Sequence, residues 1–178
     1  MGQYYKVVSL DTKQFISPFG AKLMEHSWVG NNYMRHVESL LSPGGSWYKT
    51  RIVWAGDYGD KGLFVPEGQE EETLYSYVYD NFSEQVPASV DGPEIRYIVN
   101  HSKNVYIDME EVPNLPSVDS SWKIHPLSIL TSSGNGRGGG DYRDDDDTNV
   151  GSWAGDVIST EFVEPIDMEK YTEFFIED

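Results

Sequence analysis

The side chains with chemistry to offer are four histidines, a scatter of carboxylates and one glycine- and aspartate-rich loop. None of His26, His36, His101 and His125 falls in an H-x-H or H-E-x-x-H spacing, so no zinc site is expected. His26 and His125 lie near corresponding parts of two similar stretches of sequence. Brought together, they would form an acid/base pair, with Glu25 or Asp57 orienting a ring. The plainer reading is two buried structural histidines. For an enzyme, the catalytic candidates are His26, Asp57, His125 and Asp156. A hydrolase or lyase acting on a nucleotide-like or glycosidic substrate would use clustered Asp57, Asp60, Asp141 and Asp156 as acids and bases. The Gly151–Gly155 stretch (GSWAG) places its serine one position too early for a nucleophile elbow.

Gly134, Gly136 and Gly139 satisfy G-x-G-x-x-G, but a dinucleotide site needs a helix next, with its N-terminus facing the pyrophosphate. Here Asp141-Tyr-Arg-Asp-Asp-Asp-Asp147 follows, and its charge repels phosphate. The loop reads instead as a surface loop or a ligand cover, with Asn135, Arg137 and Asp141 as its binding candidates. Trp28, Trp54 and Trp153 read as core and turn anchors, or as aromatic walls for a planar ligand. Counting from Asp145, Asp147, Asn149 and Asp156 fall on calcium-loop positions, yet Val150 stands where glycine is wanted. The expectation is no cofactor, with Ca²⁺ as a weak alternative.

Composition narrows the setting. The chain has 178 residues, 38% hydrophobic and 13% aromatic, enough for a folded core. A net charge of −17 repels nucleic acid and anionic membranes and suits a basic protein partner. Cysteine is absent, which removes disulfides and thiolate chemistry. No apolar run reaches membrane-spanning length, and Met1–Ser9 is unlike a signal peptide. Gly2 is followed by Lys6 where myristoylation wants Ser or Thr. The sequons at Asn81 and Asn100 read as coincidence. A cytoplasmic location is expected.

These candidates depend on the elements that position them. Residues 4–16 read as a β-hairpin and 33–41 as a helix capped by Asn31 or Asn32. Residues 47–54 read as a strand, and 69–86 as the main amphipathic helix, with Leu74, Tyr75, Val78 and Phe82 in a stripe. A second hairpin is expected at 95–107, strands at 124–130 and 153–163, and a docking tail at 165–178. The two parts answer each other segment by segment. Residues 7–16 match 97–106, Ser27–Asn31 matches Thr131–Asn135, and Gly45–Trp47 matches Gly151–Trp153, at offsets of 90, 104 and 106. An α+β fold follows: one compact domain over 1–178, built by internal duplication about a pseudo-twofold. Half-unit one spans 4–60, the connecting helix 69–86, half-unit two 95–163 and an acidic tail 164–178. In this reading the loop 132–149 replaces, in the second half, the helix of the first.

The opening MGQYY, the WAGDY segment at 54–58 and the GNGRGGGD and GSWAGD segments resemble a loose family of small uncharacterised cytoplasmic proteins of bacteria, phages and some protists. The resemblance covers roughly residues 4–60 and 95–158. It implies a compact unit and brings no established activity or catalytic residue. The leading expectation is a non-catalytic acidic binding or inhibitory protein. It would sequester a small molecule between its halves or block a basic protein partner, and the phage kinship suggests interference with host defence. The alternatives are the Asp-based enzyme and an immunity protein or DNA mimic. The monomer and the homo-oligomer are both open.

Overall fold

The computed structural model describes residues 1–114, 122–142 and 149–173. It is a mixed α+β fold built on one nine-stranded sheet. The strands are β1 (Tyr5–Ser9), β2 (Gln14–Ile16), β3 (Thr50–Gly56), β4 (Ser83–Gln85), β5 (Tyr97–Asn100), β6 (Val105–Asp108), β7 (Ser132–Ser133), β8 (Val157–Glu161) and β9 (Glu169–Lys170). The helices are α1 (Leu23–His26), α2 (Asn32–Leu41), α3 (Leu74–Asn81) and α4 (Pro126–Leu130). Strand order is β4-β2-β1-β3-β8-β5-β6-β9, with the short β7 beside β3. The β2–β4, β3–β7 and β6–β9 pairs are parallel and the rest antiparallel.

Alternation decides the layers. Tyr5 and Val7 of β1 and Ile52 and Trp54 of β3 enter the main core, together with Ile98, Ile107 and Ile158. That core is covered by α2, through Met34, Val37 and Leu41, and by α4, through Leu127, Ile129 and Leu130. Val8, Phe15, Val53 and Ala55 face the other side, where Leu74 and Val78 of α3 cover them. On the same side of the second half, Tyr97, Val99 and Tyr106 form a smaller cluster with Met168.

The strand order reads the same by role from either end. A hairpin, a central strand and a parallel edge strand occur on each side of the β3–β8 junction. Hydrogen bonds match in detail. Lys13 and Asn104 turn their hairpins at φ +53° and +58°. Their carbonyls accept from Ser83 and Glu169, the first residues of β4 and β9. Asp11 Oδ2 accepts from the Arg51 N–H, and Ser102 Oγ from the Val157 N–H. Trp47 N–H donates to the Leu40 carbonyl, and Trp153 N–H to that of Leu130.

These matches amend the sequence reading in several places. The hairpins correspond with Val7 answering Ile98, one residue away from the sequence alignment. Gly45–Trp47 and Gly151–Trp153 do correspond. Ser27–Asn31 and Thr131–Asn135 do not, because the first precedes α2 and the second follows α4. The segment 124–130, expected as a strand, bridges Trp28 at Ile124 and then turns helical. Pro126 occupies the first turn, where its missing N–H costs nothing, and the His125 ring caps the helix. So α4, not the loop at 132–149, stands where α2 stands in the first half.

The helix expected at 69–86 is confined to Leu74–Asn81. Thr73 Oγ1 accepts from the Ser76 N–H and starts it. Glu70–Glu72 lie in the preceding turns, and Ser83–Gln85 is drawn off to pair with β2. Strand 47–54 begins only at Thr50, and strand 153–163 is confined to Val157–Glu161. The tail adds β9 rather than a helix, and Tyr171 packs on Trp153 at 5.2 Å.

Trp47 and Trp153 are both wholly buried at the turn entering each half's central strand. Trp47→Ala and Trp153→Ala should each cost about 3–5 kcal/mol, read from urea unfolding midpoints. A loss below about 1 kcal/mol for either would refute this anchoring role.

Candidate functional site

The glycine-rich loop is built around one carboxylate. Asp141 Oδ2 accepts from the N–H groups of Gly136, Arg137 and Gly138 at 2.9, 3.0 and 3.0 Å, and Oδ1 accepts from the Tyr5 hydroxyl. Burial and this carboxylate push the Tyr5 phenol well above its ordinary range. Asn135 closes the loop by exchanging two hydrogen bonds with the Tyr142 backbone. Arg137 Nη1 reaches the Tyr58 carbonyl and Asp60, which its guanidinium holds below the usual carboxylate range. Gly138 must be glycine, because a Cβ there would meet the Gln3 backbone N at 2.8 Å. Asp141 therefore ties the loop to Tyr5, Asn135 closes it on itself, and Arg137 ties it to Tyr58 and Asp60.

The other sequence candidates are dispersed. Asp57 accepts from the Tyr4 N–H, while Asp156 meets Lys103 and Asn100. Asn149 donates to the Glu173 carbonyl. Asp145 and Asp147 lie outside the described residues. No group of three or more metal-binding side chains occurs among the described residues. Trp54 and Trp153 are fully buried in the core, and Trp28 meets Trp122 edge-on at 4.6 Å. Ser152 sits exposed in a turn. No helix of the described residues is long and apolar enough to cross a membrane.

The two central histidines have separate partners. His26 Nδ1 lies 2.7 Å from the Lys22 carbonyl, so it donates, and Nε2 accepts from the Trp54 indole N–H. The ring is thus neutral, and burial lowers its pKa to about 4. His125 Nδ1 accepts from the Leu127 N–H as the α4 cap. Its Nε2 therefore carries the proton and donates to Glu38 Oε1 at 2.8 Å, with both side chains buried.

Glu38 leads to the site that the fold assembles. It lines a cavity of about 400 Å³ whose walls come from both halves. Val29, Gly30, Arg35 and Glu38 contribute from the first; Glu94, Ile95, Arg96, Met109, Glu110 and Lys123 contribute from the second. The Val29 N–H donates to the Lys123 carbonyl and ties the two walls together. Arg35 and Glu38 stand three apart on α2, a spacing at which they would ordinarily pair. His125 holds Glu38 from below, so no such ion pair forms. Among the described residues, Arg35 Nη2 donates to the Gly92 carbonyl and its Nε is buried without a partner. Arg96, by contrast, is satisfied by Asp108 and Glu110.

Sequence reasoning passed over Arg35, Glu38 and Lys123. The available signal was Glu38, one turn from Met34 on a helix face that turns inward. Comparison with models of known protein families, with curated proteins and with solved structures found no match.

The His26 environment sets a pH dependence. Between pH 6.5 and about 4 the unfolded chain binds a proton here that the folded chain does not. Stability therefore falls as pH drops through that window, by on the order of 3 kcal/mol. His26→Gln should flatten the fall, measured as the difference in urea midpoint between pH 7 and pH 4.5. An unchanged difference would show that other groups set it.

Proposed function

We propose that the chain is an internally duplicated, non-catalytic binding protein. It holds a small molecule with an anionic group in the cavity between its halves. The observation that carries this reading is Arg35, a cation in the cavity wall with no carboxylate partner among the described residues, in a chain of net charge −17. An unneutralised, partly buried guanidinium is stabilised by an anion that pairs with it in its own plane. Lys123 adds a second cation to the same wall. Glu38, fixed by His125, offers an acceptor beside them.

Duplication supports the placement. The similar hairpins, turns and edge strands on either side of the Arg51–Val157 pair support a reading as two copies related by a pseudo-twofold. A seam between two such copies places residues of both around one space, as here. The candidate carboxylates of the enzyme reading, Asp57, Asp60, Asp141 and Asp156, each engage a different local partner. A cytoplasmic role in which the acidic exterior also meets a basic protein is compatible with this binding function.

Native mass spectrometry of protein purified from its own host should show a retained small anion. Thermal-shift titration with carboxylates and phosphates should raise the melting temperature of the wild type. Arg35→Met should weaken that binding by about 10- to 100-fold, the worth of a charge-assisted hydrogen bond. Substrate turnover by the pure protein, or equal anion binding by Arg35→Met, would overturn the reading.

A further inference from the structure

Lys6 is the position at which the two halves of the sheet differ most in chemistry. It lies on β1, on the face covered by α3, and is only 6% exposed. The residue in its place on β5 is Tyr97, which packs edge-on against Tyr106 at 5.7 Å. The matching place is filled there by an aromatic ring instead of an amine.

Among the described residues, the Lys6 amine has no carboxylate within ion-pair distance. Nζ donates to the Tyr75 carbonyl at 2.9 Å. It lies 3.9 Å from the Tyr75 ring centre and 5.2 Å from those of Phe15 and Tyr79. A buried ammonium without a counter-ion is costly. Burial therefore pushes the amine's pKa down, against the pull of Glu84, Asp57 and Asp80. Tyr75, whose phenol is raised by burial, and Tyr79 face it from the helix. More of the amine is neutral near pH 7 than on a surface lysine. Lys6 also lines a cavity of about 570 Å³, open to solvent, with Ser17, Ser76, Asp80 and Glu84 on its walls.

We propose that Lys6 is a nucleophile that forms a reversible imine with a small aldehyde or ketone entering this cavity. The Nζ lone pair adds to the carbonyl carbon, and the C=O π pair moves onto oxygen. A proton passes from nitrogen to oxygen through the solvent that the open cavity admits, giving the carbinolamine. The hydroxyl then takes a second proton from solvent and leaves as water while the nitrogen lone pair closes the C=N bond, and the remaining N–H proton returns to solvent. Amine and carbonyl compound thus give imine and water, with no oxidant or reductant. This site shares no lining residue with the seam cavity and does not depend on its function.

The test is labelling of the native full-length chain with butanal and cyanoborohydride at pH 7, followed by peptide mass mapping. The hydride traps the imine as a secondary amine. Lys6 should be alkylated at least about tenfold faster than the exposed Lys13, Lys49 and Lys61, as a depressed amine pKa predicts. Burial alone predicts the reverse order. Lys6→Tyr, which copies the second half's solution, should keep the native circular dichroism and lose only that label. Lys6→Arg serves as the charge-preserving control and should also lose it. Labelling of Lys6 no faster than the surface lysines, or only in urea, would overturn the proposal and leave Lys6 as a structural plug.

Discussion

The structure depends on a very short contact: two residue pairs of β3 and β8. Thr50 faces Ile158 and Arg51 faces Val157, and this ladder joins the two sides of the sheet. Two pairs are too few to hold a sheet together alone. The junction is reinforced from the core side, where each helix docks on the other half's strand. Thr160 of β8 donates to the Glu38 carbonyl of α2 at 2.7 Å, and Trp54 of β3 donates to the Thr131 carbonyl just after α4. Exchanging helices in this way makes each half's core incomplete without the other.

The same interlocking explains the polar groups in the interior. Where α2 and α4 meet the junction, their ends and inward turns need hydrogen bonds that apolar packing does not supply. His125 provides two of them, capping α4 and holding Glu38. His26 provides another pair between the Lys22 carbonyl and the Trp54 indole. These rings are structural parts with fixed tautomers. The unpaired guanidinium of Arg35 is a consequence, since the carboxylate that would neutralise it is held elsewhere. A stabilising interaction in the core thereby leaves an electrostatic vacancy in the wall of the seam.

The acidic composition obscures this in the sequence. Thirty acidic against thirteen basic residues suggest a surface that attracts cations. In the fold, many of the cations are paired in surface bridges such as Arg51–Asp11, Lys61–Glu71 and Lys170–Glu111, which contribute little individually. The informative basic residues are those with no carboxylate partner among the described residues: Arg35 at the seam and Lys6 under α3. The glycine loop, the most conspicuous segment in one dimension, is in three dimensions a clasp around Asp141.

The sequence by itself determined the α+β class, both hairpins and the helix at α2. These are set by alternation, capping and turn residues, which act over a few positions. The short apolar run Ile124–Leu130 could not be assigned from periodicity, since strand and helix look alike over seven residues. Only tertiary structure decided it, through Pro126 and the His125 cap. The tail joined the sheet, and α3 ended early, because an edge strand needed a parallel partner in each half. The pairing of Glu38 with His125, 87 residues apart, is likewise a tertiary decision. Local propensity is silent on contacts of that range, and it is those contacts that expose Arg35 and isolate Lys6.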